Sequence, residues 1–315
     1  AITVVDEQHR FGVQQRLLLA EKGKSVDVLL MTATPIPRTL MLAYYGDLDE
    51  SQLREKPAGR IPIDTRAIPL SRLDEVITAV SRKIKDGAKI FWVCPLINES
   101  EVLDIAAATD RYNTLHKIFG NRVGLVHGQL KSEQKAEVMD MFSKVSKIGE
   151  IKDNNSIDIL VATTVIEVGV DIPDATVMVI EHAERFGLAQ LHQLRGRIGR
   201  NDKHSTCLLL YSDKLGKIAE SRISILRETN DGFRIAEEDL KLRGGGDVLG
   251  TQQSGLPVFR LASMENHSDM ISMARDDVKL ILDRDKNLNT DRGLALRTLL
   301  HLFERDLAVK LLRAG

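Results

Sequence analysis

The sequence predicts an α/β fold: a parallel sheet with helices on both faces, followed by an α-helical carboxyl-terminal region. Three observations predict it. Between residues 63 and 211, short apolar runs rich in β-branched residues alternate with longer amphipathic stretches. Strands and helices in strict alternation are accommodated by parallel strands joined through crossover helices. Several of the runs, Ile157 to Ala162 and Ala175 to Ile180 among them, are apolar without interruption, as strands buried on both faces are. From Lys217 onward the spacing turns helical.

The elements follow in order. Ile2 to Val5 is a β-branched run that ends in Asp6-Glu7-Gln8-His9, and a second run, Val28 to Met31, leads into Thr32-Ala33-Thr34-Pro35. Lys56-Pro57-Ala58-Gly59-Arg60-Ile61-Pro62, with prolines on both sides of a glycine, reads as a linker. Ile63 to Ile68 is a predicted strand, and Leu70 to Lys85 an amphipathic helix closed by Asp86-Gly87. Lys89 to Cys94 is a buried strand, in which Phe91 and Trp92 read as core. Ala106 to Phe119 is a helix ended by Gly120. Val123 to Val126 is a strand leading to His127-Gly128. Lys131 to Val145 is a helix with Ser132 as its N-cap. Lys144 to Ser156 is polar and without period, and reads as a surface loop. After the strand Ile157 to Ala162, a short helical stretch ends near Gly169 and Pro173 breaks the chain. Then come the strand Ala175 to Ile180, a helix Leu188 to Ile198, and a strand Ser205 to Tyr211.

Composition narrows the classes. The 315 residues leave room for two domains, or for one large and one partial. Apolar residues make up 43%, enough for sizeable cores, yet no run of 18 apolar residues offers a membrane span. The opening AITVVDEQH lacks the basic start and cleavage site of a signal peptide. It reads as a strand entered part-way, as in a piece of a longer protein. Cys94 and Cys207 each sit in an apolar run without a CxxC partner, and read as inert core thiols of a reducing compartment. A net charge of −1 gives no bulk attraction for nucleic acid, so any such contact must come from local patches.

Two clusters point to chemistry. Asp6 and Glu7 form a carboxylate pair at the end of a buried strand, where open α/β sheets place ligands. One carboxylate can hold Mg²⁺ through water and the next can position an attacking water. Gln193, Arg195, Arg197 and Arg200 are a dense set of donors beside Gly196 and Gly199. Arginine suits phosphate because its planar fork makes paired, charge-assisted hydrogen bonds. At a spacing of three, Arg197 and Arg200 are expected on one helix face. A solvated basic helix end would account for the residue types equally well.

The order of these residues resembles superfamily 2 helicases. Asp6 to His9 resembles motif II (DExH) and Thr32 to Thr34 motif III (TAT). Thr163-Thr164 with Gly169-Val170-Asp171 resembles motif V, and Gln193 to Arg200 the QxxGRxxR of motif VI. The resemblance implies one partial and one complete RecA-like domain, and ATP with Mg²⁺ as cofactors. It gives Asp6 the Mg²⁺ and Glu7 the attacking water. Gln8, His9, Thr32 and Thr34 would couple nucleotide state to the TAT loop. Gln193, Gly169 and Asp171 would serve ATP binding, with Glu167 shaping the same loop. Arg197 and Arg200 would reach across a cleft to the ATP, as arginine fingers worth ~10³–10⁵ in rate do elsewhere. His127, Lys131 and Thr163 would touch the DNA backbone, which carries register and not sequence. A turn histidine is the plain alternative for His127.

DEQHRFGVQQR with TATPIPRTL is narrower, and resembles the RecG and Mfd translocases. Gln8, Tyr45 to Asp49 and the stretch Phe91 to Ser100 are closer to RecG. The sequence G-x-x-x-x-G-K-[ST] is absent: Lys22-Gly23-Lys24-Ser25 lacks the first glycine, and Gly244 to Gly246 lacks a following lysine. Residues 1–56 are therefore expected to be the carboxyl half of a first RecA-like domain, with 57–212 a second and 213–315 a helical region. Strands lacking their sequence neighbours would be poorly supported.

In that region Lys217 to Glu228 and Phe233 to Leu242 are predicted helices around Asn230-Asp231-Gly232, a hairpin. Arg243-Gly244-Gly245-Gly246 to Gly255 reads as a loop, because glycine is a poor helix former. It resembles the translocation motif shared by RecG and Mfd, which implies a coupling network of Arg222, Arg234, Arg243 and Gln253. Gly245 stands where RecG commonly has proline, and Gln252 where arginine is common. Ion pairs with Glu237, Glu238 or Asp239 are the structural alternative for those cations. Asp269 to Leu282 and Leu294 to Leu312 show helical spacing, with Met270 and Met273 read as core. The chain's ending favours RecG over Mfd.

The resemblance implies an ATP-dependent helicase of the bacterial cytoplasm that remodels branched double-stranded DNA such as stalled forks and four-way junctions. Its implied partners are that DNA, wedge and Walker A regions belonging to the same protein, and a single-strand-binding protein, with no membrane. An Mfd-like translocase, or a non-catalytic DNA-binding module in this chain alone, remain open at this point.

Overall fold

The structure is a computed structural model and describes residues 2–6, 27–33, 51–55, 57, 59–95, 101–144, 156–163, 172–247 and 264–303. They fall into two units, Ser51–Leu242 and a second made of Ala1–Glu50 with Arg243–Gly315.

In the second unit β1 (Ile2–Val5) and β2 (Asp27–Leu30) pair in parallel, Ile2 opposite Asp27 and Val5 opposite Leu30. The Met31 N–H extends the ladder to Val5 O at 2.8 Å. Parallel strands are usually covered on both faces. Here Val5 is buried, while Ile2, Val4, Leu29 and Met31 are exposed.

The larger unit is a six-stranded sheet, parallel in every pairing. Its strands are β3 (Asp64–Pro69), β4 (Lys89–Val93), β5 (Val123–Val126), β6 (Ile159–Ala162), β7 (Ala175–Ile180) and β8 (Thr206–Tyr211), in the order β3-β8-β7-β4-β6-β5. Its helices are α1 (Leu73–Lys85), α2 (Glu101–Phe119), α3 (Ser132–Ser143), α4 (Leu188–Arg195) and α5 (Lys217–Glu228). α6 (Gly232–Asp247) starts in this unit.

Strand alternation divides the core into two layers. Ile90 and Trp92 of β4 pack with Val76, Val80 and Ile84 of α1 and Leu115 of α2. Phe91 and Val93 face the other way, toward Phe142 of α3, Leu191 and Leu194 of α4, Ile223 and Leu226 of α5 and Ile235 of α6. Phe91 meets the Phe142 ring edge-on at 5.1 Å. The predicted α/β fold class is thus observed, and the first helices after the sheet pack on it.

Several boundaries differ from expectation, each for a local reason. α1 starts three residues late because Leu70–Arg72 form a 3₁₀ turn after Pro69. α3 is capped by Lys131, not Ser132, and the Lys131 N–H donates to Gln134 Oε1 at 3.2 Å. α6 runs through Gly244 to Asp247, so that part of the expected glycine loop is helix. Glycine costs a helix only about 1 kcal/mol per residue, and a preceding helix supplies carbonyls to bond. The expected loop at 145–155 and the stretch 248–263 lie outside the described residues.

In the second unit α7 (Met264–Arg284) is bent at His267, and α8 (Asp291–Leu302) is capped by Thr290, whose hydroxyl accepts from Gly293 N at 3.1 Å. Asp285 closes the turn between them, accepting from Asn289 N at 2.9 Å, Thr290 N at 2.8 Å and Thr290 Oγ1 at 2.6 Å. Met270 and Met273 were expected in a core and are exposed, at 60% and 66%. Helical spacing defines an apolar stripe without defining what covers it. Residues 304–312, expected to be helical, lie outside the described residues.

Candidate nucleotide and nucleic-acid site

Because all six strands run one way, the residue after each strand lies along one edge of the sheet, where α/β proteins place their ligands. That edge holds His127 after β5, Thr163 after β6, Cys94 after β4, Glu181 and His182 after β7, and Ser212 after β8. The sheet therefore brings together two predicted DNA contacts, His127 and Thr163, on neighbouring strands. The Thr163 N–H donates to Val126 O at 3.3 Å, and Thr163 is 2% exposed. Its backbone donor is thus engaged within the fold and its side chain is buried.

His127 is half-buried, and its Nδ1 has no hydrogen-bond partner among the described residues. Burial, and then the nearby Lys135 cation, lower its pKa below the ordinary histidine value. The ring is thereby biased toward the neutral form, a hydrogen-bonding group and not a cation. Lys135 donates to Gly128 O at 2.9 Å and Lys131 is exposed at the start of α3, so two cations flank this strand end.

The Gln193–Arg200 segment departs from the expected helix. α4 ends at Arg195, Gly196 is its C-cap, and tight turns follow in which Arg197 N bonds Leu194 O and Ile198 N bonds Arg195 O. Gly199 has φ +68°, a left-handed conformation that no residue with a Cβ adopts cheaply. A Cβ there would lie 3.0 Å from Ile63 Cγ1. Arg60 Nε grips the Gly199 carbonyl at 2.8 Å. Arg197 and Arg200 consequently do not share a helix face: they lie past the helix end, Arg197 half-buried and Arg200 exposed.

Arg195 differs in kind from its two neighbours. It is 2% exposed, and one guanidinium nitrogen donates to Leu226 O at 2.6 Å and Thr229 O at 2.9 Å. The other meets His192 Nδ1 at 3.1 Å. Burial lowers its pKa, with Cys207 acting the other way. It fastens α4 to the end of α5, which is structural work.

Of the remaining predicted residues, Asp6 follows β1 and is exposed, and Thr32 follows β2. Glu7, Gln8, His9, Thr34, Gly169, Asp171 and Gln253 lie outside the described residues, as does the side chain of Arg243. A single exposed carboxylate at a strand end fits Mg²⁺, which keeps most of its waters and takes few protein ligands. Among the described residues no group of three or more His, Cys, Asp or Glu could hold a metal ion. Arg234 pairs with Glu228 at 3.5 Å, and Lys241 takes Glu238 at 2.8 Å. Arg222 Nε is buried with no partner among the described residues.

Sequence reasoning missed two carboxylates of the same edge. Glu181 accepts from Trp92 Nε1 at 2.5 Å and from Arg111 of α2, whose second nitrogen reaches it at 3.1 Å. Arg111 also lies 5.9 Å from the centre of the Trp92 ring. Glu184 accepts from Ser212 Oγ at 2.5 Å and contacts His182 Nδ1 at 3.0 Å. Burial alone would raise Glu184, but the Ser212 hydroxyl, its own N–H and His182 together hold it below the usual carboxylate value. The signal was present: charged residues follow directly on a buried strand, as they do at Asp6.

Comparison with known proteins gives this edge a context. Residues 70–202 match the helicase conserved C-terminal domain family, and residues 229–303 match the C-terminal part of domain 3 of the ATP-dependent DNA helicase RecG. The RecG of Pasteurella multocida is 50% identical over 277 residues, 86% of this chain and 38% of its own length. That of Bacillus subtilis is 46% identical over 287 residues, 90% of this chain and 40% of its own. A solved structure of RecG bound to a three-way DNA junction is 42% identical, with a TM-score of 0.63 over 86% of this chain and 33% of that one. The crystal structure of T. fusca Cas3 with AMPPNP is 17% identical at a TM-score of 0.52 over 90% of this chain and 39% of its own, a likeness of fold alone. This chain spans about two-fifths of the length of the curated relatives it matches. Over that span, with a helicase C-terminal domain and a RecG domain 3 module following each other in one chain at about half identity, the chain is similar to the corresponding two-fifths of RecG proteins.

Proposed function

We propose that this chain is the motor portion of an ATP-dependent helicase that acts on branched DNA, in the bacterial cytoplasm. The observation that supports this most is the likeness, at 42% identity, to a RecG structure bound to a three-way junction. No feature of the chain favours an Mfd-like translocase.

In this reading the sheet edge faces the tracked strand. His127, Lys131 and Thr163 would meet phosphates, giving binding without sequence preference. Gln193, Arg197 and Arg200 would serve the nucleotide, with Gly169 and Asp171 at its sugar and Gln8, His9, Thr32 and Thr34 relaying its state. Arg197 and Arg200 stand on a tight turn fixed by Arg60 and not on a helix, which holds their backbone in place for transition-state charge. Asp6 would hold Mg²⁺ through water and Glu7 would orient the attacking water. Bound Mg²⁺ would neutralise charge on the phosphates. Arg222, Arg234, Arg243 and Gln253 would pass the motion on. A single-strand-binding protein is a proposed partner of the intact helicase, as are its wedge and Walker A regions.

The test is steady-state ATPase and binding of a labelled junction. The 315 residues contain no Walker A sequence. Turnover is therefore expected only in a polypeptide that also supplies that loop, stimulated by the junction and lost in Arg200→Ala. Junction-stimulated turnover by the 315 residues alone would overturn the missing-loop argument. Equal turnover by wild type and Arg200→Ala in the intact helicase would remove the role given to that arginine.

A further inference from the structure

One residue of the sheet edge has a conformation that demands a cause. His182 has φ 49° and ψ 49°, left-handed backbone in a residue that bears a Cβ. Such a state costs about 1–2 kcal/mol and persists where surrounding contacts impose it. The contacts are visible. His182 Nδ1 lies 3.0 Å from Glu184 Oε1 and 3.2 Å from Ser212 Oγ, and Ser212 Oγ lies 2.5 Å from the same Glu184 oxygen. The Ser212 N–H adds a longer contact, 3.4 Å, to Glu184 Oε2.

The protons can be assigned by elimination. An ionised carboxylate only accepts, so the hydroxyl of Ser212 donates to Glu184. Nδ1 must then carry a hydrogen to face both oxygens. Neutral His182 is thus the Nδ1–H tautomer, which leaves Nε2 as an acceptor.

The location gives these bonds a purpose. His182 and Glu184 open the segment that passes through Phe186 into α4 and on to Gln193, Arg197 and Arg200. Ser212 follows β8 and opens the connection to α5. At the far end of α4, Arg195 is tied to the end of α5 through Leu226 O and Thr229 O. The arginine-bearing segment is therefore held at its entry and near its exit.

We propose that His182 is a positioning residue: with Glu184 and Ser212 it latches the entry of the 183–200 segment to the end of β8, and so fixes where Arg197 and Arg200 stand. This rests on the nucleotide-serving reading of those arginines. A group misplaced by a fraction of an ångström loses stabilisation of the transition state more than affinity for the ground state.

The experiment compares junction-stimulated ATPase of the intact helicase as wild type, Arg200→Ala, His182→Gly and His182→Asn. Glycine accepts the backbone conformation without strain but loses both bonds. Asparagine tolerates it and still offers an amide donor. The expected result is an about ten-fold fall in kcat for His182→Gly, with KM for ATP within about two-fold, and recovery of most of that loss in His182→Asn. If His182→Gly matches wild type while Arg200→Ala is impaired, the latch is wrong and the arginine reading stands. If Asn is no better than Gly, the latch is equally wrong. If Arg200→Ala is unimpaired, the arginine reading fails and takes the latch with it. A second readout needs no turnover: in ¹⁵N-histidine spectra of this chain, the ring signals absent from His182→Asn should show the Nδ1–H tautomer, and an Nε2–H tautomer would overturn the bonding scheme.

Discussion

Three arginines stand within six residues of one another at Arg195, Arg197 and Arg200, and their surroundings give them different work. Arg195 is buried against two carbonyls. Truncating it would strand both acceptors in the interior, so Arg195→Ala is expected to lower the unfolding free energy by about 2–3 kcal/mol. Lysine should restore little, because an ammonium cannot reproduce the fork that serves Leu226, Thr229 and His192 together. Urea unfolding measures both, and a loss under about 0.5 kcal/mol would contradict the fastening role. The two thiols make a second case. Cys207 is 0% exposed and burial, partly offset by Arg195, pushes its pKa up to about 12. Cys94 is raised further by burial and then by the Glu181 carboxylate. Neither should react with a disulfide reagent at about pH 8 in the native protein, since the thiolate is the nucleophile. Both should react in denaturant, and rapid native labelling would show that the sheet opens locally. His127 is the third. Its pKa is depressed, so the folded protein binds this proton less readily than the unfolded chain does. The stability it contributes is complete above the unfolded value, about 6.5, and is lost as pH falls through the lower folded value. His127→Gln should flatten the stability curve in that acid window and leave it unchanged near pH 8.

Elements were legible where the signal was local. The strands of the larger unit were predicted within a residue or two, because uninterrupted apolar runs between polar stretches leave little choice. Ends set by distant contacts were not. Gly196 directly after Arg195 is a local stop signal, but Ile198 continues the apolar period past it. What stops α4 is Gly196 as C-cap and a left-handed Gly199 whose carbonyl is held by Arg60, well over a hundred residues earlier. The glycine of consequence is therefore Gly199, whereas Gly196 at φ −66° could carry a side chain. Gly199→Ala should cost about 1–2 kcal/mol from backbone strain, and more if Ile63 cannot yield. Gly196→Ala should cost well under 1 kcal/mol in the same melts. Equal losses would mean that the turn does not need its left-handed residue. The site was legible in the same uneven way. His127 and Thr163 come together because each follows a predicted strand, and strand order placed them side by side. Glu181, His182 and Glu184 carry no signal of their own in the sequence beyond their place after a strand, since their partners Trp92, Arg111 and Ser212 lie far away in it.

For the molecule as a whole, the decisive fact is where its apolar surface goes. In Ser51–Leu242 the two core layers close on either side of one six-stranded sheet, and α5 and the start of α6 complete the second layer through Ile223, Leu226 and Ile235. Among the described residues β1 and β2 show no such closure: Ile2, Val4, Leu29 and Met31 stay exposed on a two-stranded sheet. An isolated pair of strands is marginal in water, and parallel pairing makes it more so. The two units should thus differ in stability by a wide margin. Residues 51–242, expressed alone, are expected to unfold in one cooperative transition with a midpoint within a few degrees of the main transition of the 315-residue chain. Cutting at 212 instead would remove Ile223, Leu226 and Ile235 from the core and strip Arg195 of both carbonyl partners, so a 51–212 piece should melt at least about 10 °C lower. Hydrogen exchange on the full chain gives an independent view. Amides of β4, β6 and β7 should be protected to near the global unfolding free energy, and those of Ile2–Val5 should exchange orders of magnitude faster. If 51–212 proved as stable as 51–242, α5 would be an accessory to the sheet. The tie between Arg195 and the end of α5 would then have to be read as a contact that forms late and holds little.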